Sequence, residues 1–352
     1  MGVTFNKLPM QKKIFQFSSK RVSYYFDADF NYLQKIVDKD HAIVITDENI
    51  FKSFKKKFDG WNVIVIKAGE EFKVQQTVDS IIKQLITMEA DRKTFLIGVG
   101  GGIVTDITGY VGSVYMRGIK FGLVPTSLLA MVDASIGGKN GIDVGDYKNL
   151  VGTISQPDFL LYDISFLRSL PQHEWANGFA EIIKHACIKD VNLFKELEKN
   201  KLSHYQKNKP ALLKLIQKNA LLKSVVVKKD EFETHERQLL NFGHTLGHAI
   251  EKTYELSHGQ AISLGMVTAC IISEHYLDFK DTSRVIATLD KYGLPTLAEF
   301  EPKKVFDMMK MDKKKVKQSI NYVLLKKIGE AQTKSIPIND LEKIIYSIIR
   351  AR

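Results

Sequence analysis

The chain has 352 residues, 44% hydrophobic and 26% charged, a composition that excludes a disordered or fibrous protein and, at this length, predicts two domains rather than one core. Only Cys187 and Cys270 are present, no apolar run is long enough for a membrane span, and the first residues carry neither a signal-peptide core nor a myristoylation pattern. A cytoplasmic protein without disulfides or membrane attachment is therefore expected. The formal net charge of +11 suits an anionic small substrate better than nucleic acid, with surface solvation accounting for most of the lysines; the densest cluster, Lys313-Lys314-Lys315 with Lys317, has few interleaved aromatics and no nucleic-acid module around it, so no nucleic-acid partner is expected.

Residues 13–17 and 21–26 read as a hairpin packed at a sheet edge. Residues 41–46, 62–66, 94–98 and 122–125 are short and rich in β-branched side chains, the pattern of parallel strands covered on both faces. Between them, residues 74–88 form an amphipathic helix, with Val78, Ile81, Ile82, Leu85 and Ile86 at helical spacing. Together these predict a doubly wound α/β domain. The texture changes near Leu170-Pro171, and residues 174–279 read as helical with only Pro210 interrupting, including one stripe over 239–254. A small hairpin over 319–325 and 331–335 and a helix over 341–349 close the chain. The expected organisation is an α/β domain over 1–170 and a mostly α-helical domain over 171–352.

Two stretches carry the chemistry. Gly98-Val99-Gly100-Gly101-Gly102 follows the apolar run Phe95-Leu96-Ile97, and Asp106 lies one turn into the helix it opens. Closely spaced residues without a Cβ let backbone N–H groups approach an anion at a helix start, although Ile103 stands where the dinucleotide fingerprint has its third glycine. A tight turn needed only for packing is the alternative. Arg117, Lys139 and Lys148 fall within about thirty residues of one another after that turn and suit a phosphate-bearing substrate. Asp133, flanked by Met131-Val132 and Ala134-Ser135, is a carboxylate in apolar surroundings, which is normally buried with a partner or used.

The second stretch holds Glu181 and Lys184, three apart on one helix face among Phe179, Ala180, Ile182, Ile183 and Ala186, then His244, His248 and His258. Spacing alone nominates His244 and His248 as a helical H-x-x-x-H pair with His258 a third ligand, and Gly243 and Gly247 would permit another element to approach closely. One carboxylate and two or more imidazoles leaving an open position describe a catalytic zinc site.

With these motifs go Gly69-Glu70-Glu71-Phe72-Lys73, Tyr115-Met116-Arg117-Gly118, PTSLLAMVDASIGGK over 125–139, Lys148-Asn149-Leu150-Val151-Gly152, Gln156-Pro157 and the runs 178–184 and 239–251. Over roughly residues 40–330 the chain resembles the 3-dehydroquinate synthases of the shikimate pathway, within the sugar-phosphate cyclase family. The resemblance implies a two-domain enzyme of aromatic amino-acid biosynthesis, a lyase with NAD+ and one divalent metal, Zn2+ or Co2+, acting as a homodimer. Its substrate would be 3-deoxy-D-arabino-heptulosonate 7-phosphate, converted to 3-dehydroquinate and phosphate by transient oxidation, phosphate elimination, reduction and aldol closure. The implied metal ligands are Glu181, His244 and His258, which makes His248 a substrate contact and proton-transfer residue instead of a ligand. Implied cofactor contacts are Asp47, Asn49, Glu70, Lys73, Gly101, Gly102, Ile103, Asp106, Thr126, Ser127, Lys148, Phe166, Ser169, Leu170 and Glu174. Implied substrate contacts are Arg117, Asp133, Lys139, Asn149, Lys184, Lys223, Arg237, Asn241, His248 and one lysine of Lys313-Lys314, taken as Lys314; Arg117, Asp133, Lys139, Lys184, Asn241 and His248 are the catalytic candidates among them. The departures are Ser127 where a second threonine is common, Tyr147 where glycine is frequent, and Phe232 with Thr234-His235-Glu236 ahead of Arg237. Rival readings are a cyclase acting on another sugar phosphate and a metal-dependent polyol dehydrogenase, the latter leaving Arg117, Lys139 and Lys223 without an anionic group to hold.

Overall fold

The structure, a computed structural model, describes residues 10–145, 147–312 and 318–350. Its first elements are β1 (Gln11–Gln16), β2 (Arg21–Phe26), β3 (Ala42–Asp47), α1 (Glu48–Ser53), β4 (Asn62–Ile66), α2 (Gln75–Thr87), β5 (Phe95–Gly100), α3 (Gly102–Val114), β6 (Phe121–Pro125), β7 (Lys139–Val144), β8 (Tyr147–Ile154) and β9 (Phe159–Tyr162). Then come α4 (Gln172–Lys189), α5 (Val191–Lys199), α6 (Leu202–Lys207), α7 (Lys209–Lys229), α8 (His244–Thr253), α9 (His258–Leu277), α10 (Thr282–Lys291), α11 (Pro302–Asp312), β10 (Ser319–Lys327), β11 (Glu330–Pro337) and α12 (Ile338–Arg350). The chain forms two compact units. One comprises residues up to 171 together with 213–231, the other 172–212 and 232 onward. Most of α7, which the sequence pattern puts in the second domain, thus clusters with the first unit.

The first unit is an α/β unit built on a seven-stranded sheet in the order β1-β2-β9-β6-β5-β3-β4. All its neighbouring strands run parallel except the β1–β2 hairpin, which forms the edge. The central strands are apolar because both faces are covered: every residue of β3 and of β6 is buried. Ala42, Val44, Ile97, Val99, Val124 and Leu161 pack with Phe30, Phe58, Trp61, Phe159 and Phe166 in one core. From β3 the chain goes to β4 on one side and then, through α2, to β5 on the other. The carboxyl ends of β3 and β5 therefore flank the point where strand order reverses, the place where open α/β sheets receive ligands. A separate two-stranded ribbon is made by β7 and β8, where the sequence pattern predicts no strand.

The second unit is mostly helical. Its central element is α9, buried almost continuously from Ala261 to Ser273, as expected of a helix apolar all round. Helices α4, α8 and α10 and strand β10 pack on it. The apolar stripe over 239–254 is not one helix. A 3-10 turn spans Glu236–Asn241, Gly243 takes a left-handed conformation (φ 79°), and α8 begins at His244. The cause is steric: a Cβ on Gly243 would lie 2.6 Å from Met266 Cγ and 2.9 Å from the Ile262 carbonyl oxygen, so α8 starts hard against α9. Among the described residues no helix is long and apolar enough to cross a membrane.

Candidate active site

In the first unit the residues nominated for a cofactor gather just beyond the carboxyl ends of parallel strands. Asp47 ends β3 and caps α1, its Oδ1 accepting from Asn49 N (2.9 Å) and Ile50 N (3.0 Å). Burial raises the pKa of that carboxyl against those two donors. Asn49 is exposed in the first turn of α1, and Glu70 is exposed in the 3-10 turn after β4. Gly101 is the N-cap of α3, Gly102 and Ile103 its first residues, and Thr126 and Ser127 follow β6. Phe166 and Ser169 lie in the 3-10 turn Ile164–Ser169 after β9, with Leu170 next. The Phe166 ring is fully buried against Phe30 and Phe54, so only its main chain remains for a ligand.

The glycines of the turn serve different ends. A Cβ on Gly100 would meet the Val104 side chain at 2.4 Å, so the fold itself requires that glycine. A Cβ on Gly101 would touch only Ser127, at 3.6 Å or more, and its backbone (φ −72°, ψ −170°) suits any residue. The protein leaves open a space at the α3 N-terminus that a side chain would fill, beside unpaired N–H groups at the positive end of the helix dipole. That fits the pyrophosphate of a dinucleotide.

Beside it lies a buried charged network. Lys73, 5% exposed, donates to Asp106 Oδ2 (2.5 Å) and to Asn149 Oδ1 (2.6 Å), while Asn149 N donates to Asp143 Oδ1 (2.7 Å). Burial would lower the Lys73 pKa, but Asp106 and Glu70 raise it; burial raises Asp106 against the pull of Lys73. Asp133, in the π-helical turn Ala130–Ala134, is indeed partnered: Lys223 of α7 reaches its carbonyl oxygen at 2.8 Å and its Oδ1 at 2.9 Å. Lys139 opens β7, and Lys148 is exposed in β8. Arg117 (φ 68°) and Asn149 (φ 54°) both hold left-handed backbone, which costs about 1 kcal/mol in a non-glycine residue and clusters at functional sites.

In the second unit the structure brings Glu181, His244 and His258 together, with one ligand atom from each within 4.8 Å of the others. Glu181 Oε1 lies 3.1 Å from His258 Nε2 and 3.5 Å from His244 Nε2. Its other oxygen pairs with Lys184, one turn along α4, and both residues are essentially buried. His244 Nδ1 meets the Phe242 carbonyl oxygen at 3.1 Å, which leaves Nε2 facing the carboxylate with its lone pair free. Burial, helped by the Lys184 cation, holds the His244 pKa well below its ordinary value and keeps it neutral. Burial would also lower His258, but Glu181 and Glu251, each bonded to its ring, raise it to about 10. One carboxylate oxygen and two Nε2 atoms around an open position form a donor set suited to Zn2+ or Co2+.

His248, which spacing also nominates as a ligand, stands outside that group; its ring centroid is 5.1 Å from that of His244. Helical spacing finds neighbours on one helix, whereas here the carboxylate arrives from another. Arg237 is buried in the turn before α8, and Asn241 Nδ2 donates to Glu233 Oε1 (2.6 Å) at the wall of a cavity of about 400 Å³ lined also by Gln238, Thr245, Asn321 and Thr333. Glu174 lies in the first turn of α4. Lys313 and Lys314 lie outside the described residues. Sequence reasoning missed Asn177, Asp143 and Glu251 around these sites; for two of them a helical signal existed, since Asn177 precedes Glu181 by four residues and Glu251 follows His244 by seven.

Comparison with known proteins bears on these features. Residues 63–177 match the family described as 3-dehydroquinate synthase N-terminal, and residues 178–315 match 3-dehydroquinate synthase C-terminal. The 3-dehydroquinate synthase of Acetivibrio thermocellus is 38% identical over 341 residues, spanning 92% of this chain and 95% of that protein. Among solved structures, 2-deoxy-scyllo-inosose synthase complexed with carbaglucose-6-phosphate, NAD+ and Co2+ superposes with a TM-score of 0.84 at 24% identity, over 96% of this chain and all of that one. The 2-epi-5-epi-valiolone synthase of Streptomyces hygroscopicus subsp. jinggangensis, with NAD+ and Zn2+ bound, gives 0.85 at 23% identity, over 96% of this chain and 99% of that one. A Rossmann-like α/β unit, a helical unit carrying a carboxylate–histidine cluster, and this identity over nearly the whole length establish that the chain belongs to the 3-dehydroquinate synthase family.

Proposed function

We propose that the chain converts 3-deoxy-D-arabino-heptulosonate 7-phosphate to 3-dehydroquinate and inorganic phosphate. The observation that carries this is the 38% identity to a 3-dehydroquinate synthase along 92% of the chain. The Glu181, His244 and His258 group and the open cradle at Gly101 support it, since each has the chemistry of one group the reaction needs. When bound, NAD+ would supply the reversible oxidation of one substrate carbinol and the divalent ion would polarise its oxygen.

The protein's own groups perform the rest. Glu181 Oε1 with His244 and His258 Nε2 would hold the ion, and Lys184 pairs with the other oxygen of the buried Glu181 carboxylate and so fixes which oxygen faces the histidines. Main-chain N–H groups at Gly101 and Gly102 would take the cofactor pyrophosphate, and Lys73 and Asp106 would line its approach. Arg117, Lys139 and Asn149 are assigned to the substrate phosphate; Lys223 and Arg237 to its carboxylate or hydroxyls. His248 is assigned to proton transfer at a substrate hydroxyl, with Asn241 orienting the same substrate. In this reading the enzyme is cytoplasmic and a homodimer. The dimer is supported by the apolar residues that β7 and β8 present to solvent, Val144, Tyr147, Leu150, Val151 and Ile154, with Leu150 65% exposed.

The second reading is a cyclase of another branch, favoured by the close superposition on 2-deoxy-scyllo-inosose and 2-epi-5-epi-valiolone synthases. One assay separates the two: purified protein, NAD+, Zn2+ and the heptulosonate phosphate, with phosphate and NADH followed together. Phosphate should appear continuously without NADH accumulating, because the oxidation is reversed in each turnover. A polyol dehydrogenase would accumulate NADH and release no phosphate, and another cyclase would leave this substrate untouched. Protein shown to hold metal and NAD+ that forms no 3-dehydroquinate sinks the proposal.

A further inference from the structure

We propose that Glu251 and Asn177 are positioning residues that present His258 to the divalent ion, Glu251 by fixing its ring and Asn177 by holding the Ser257 hydroxyl and the Gly259 N–H on either side of it. This rests on the metal reading of Glu181, His244 and His258 and extends it to residues that touch neither ion nor substrate.

Helix α8 carries both His244 and Glu251, seven residues apart and so two turns along one face. The Glu251 carboxylate, its side chain 9% exposed, lies 3.5 Å from His258 Nδ1, while His258 Nε2 faces Glu181 Oε1 at 3.1 Å. An imidazole with no partner can rotate about its side-chain torsion and carry its proton on either nitrogen. A carboxylate accepting from Nδ1–H removes both freedoms, leaves the Nε2 lone pair facing the ion, and strengthens it as a donor. His244 receives the same service from the Phe242 carbonyl at 3.1 Å, so each imidazole has an acceptor behind it.

Asn177 acts on the two residues that flank His258. It lies on α4 one turn before Glu181, is 4% exposed, and its Oδ1 accepts from Ser257 Oγ at 2.8 Å and from Gly259 N at 3.1 Å. Those two residues flank His258, the first residue of α9. The helix that carries the carboxylate ligand thus grips both neighbours of the histidine ligand, one by its hydroxyl and one by its backbone N–H. The grip depends on glycine: a Cβ on Gly259 would lie 2.6 Å from Asn177 Cα.

The test measures metal affinity directly. Metal-free protein is titrated with Zn2+ against a chromophoric chelator, and the visible spectrum of the Co2+ form is recorded, for wild type, Glu251→Gln, Glu251→Leu, Asn177→Ala and, as control, His258→Ala. Gln keeps an acceptor without the charge, so affinity should fall in the order wild type, Glu251→Gln, Glu251→Leu, with losses of about 10- to 100-fold and an altered Co2+ spectrum. Asn177→Ala should lose affinity within the same range. If a variant does not fold, the isosteric Glu251→Gln decides. Folded variants with wild-type affinity and spectrum would overturn the proposal and leave Glu251 and Asn177 as packing groups. Wild-type affinity in His258→Ala, or no metal in wild type, would instead overturn the ligand assignment on which the proposal stands.

Discussion

Replacing Gly101 should separate cofactor binding from folding. In Gly101→Ala the new methyl contacts only Ser127, at ordinary distance, and the backbone angles stay in an allowed region. Alanine is a poorer helix N-cap than glycine, so a stability loss of up to about 1 kcal/mol is expected. The same methyl occupies space that a pyrophosphate oxygen needs to reach backbone N–H groups at about 2.9 Å. Losing two charge-assisted hydrogen bonds there costs about 3 kcal/mol, or on the order of 100-fold in the NAD+ dissociation constant. Gly101→Val should cost more. Gly100→Ala provides the contrast, because its Cβ would lie 2.4 to 2.9 Å from three atoms of Val104, so the damage goes to folding instead. Calorimetric NAD+ titration of each variant, beside its melting curve, resolves the two effects. An unchanged NAD+ affinity in folded Gly101→Val would show that the turn is structural and that the cofactor docks elsewhere.

A chelator should abolish activity and Zn2+ or Co2+ restore it; metal analysis should find Glu181→Ala and His244→Ala empty but His248→Ala loaded and slow, and metal loss in His248→Ala would revive the helical histidine pair. Gly247→Ala would put a Cβ 2.8 Å from Ile262 Cδ1 and 3.1 Å from the Ala261 carbonyl oxygen, so denaturant titration should show a loss of about 1–3 kcal/mol, with weaker metal binding as α8 is forced off α9. Asp163 accepts from Lys57 (2.8 Å), Phe30 N (3.0 Å) and Ser165 N (2.9 Å), and its removal as Asp163→Ala should cost about 3 kcal/mol at neutral pH. Burial alone would raise the Asp163 carboxyl, but Lys57 and Ser165 hold it below its ordinary value. A depressed folded-state value stabilises above the unfolded value near about pH 4 and is lost as pH falls through the folded one, so the gap between wild type and Asp163→Ala in chemical denaturation should narrow below that pH.

The strands of the sheet were legible because a parallel sheet covered on both faces demands unbroken apolar runs, and β3, β4, β5 and β6 have observed ends within two residues of those runs. Strand β8 was not, because its residues face solvent almost throughout and show no alternation. The start of α8 was misplaced because the apolar periodicity runs straight through a turn that Gly243 makes for steric reasons in α9, which no local pattern records. The metal-ligating chemistry was visible as a carboxylate in an apolar helix and three histidines. Which histidine stands apart depends on how α4, α8 and α9 pack: spacing within α8 pairs His244 with His248, whereas the group that lies together takes Glu181 from α4 and His258 from α9. Lys73 shows the same limit, since its contacts at 33 and 76 residues' distance are set by the sheet and the β7–β8 ribbon.

The first unit is discontinuous in sequence, and that bears on the order in which the protein can be made. When residue 171 has emerged during synthesis, the unit still lacks residues 213–231. Until they arrive, Asp133 has no Lys223 to neutralise it, and the Tyr24 hydroxyl has no Ser224 within 2.9 Å. The α/β unit therefore cannot complete its folding when its first 171 residues are out; its last segment is delivered only after about forty residues of the other unit have been translated. A fragment ended at residue 171 would lack the part of α7 that this unit packs around, whereas the same fragment supplied with residues 213–231 as a separate peptide would have the parts it needs to close.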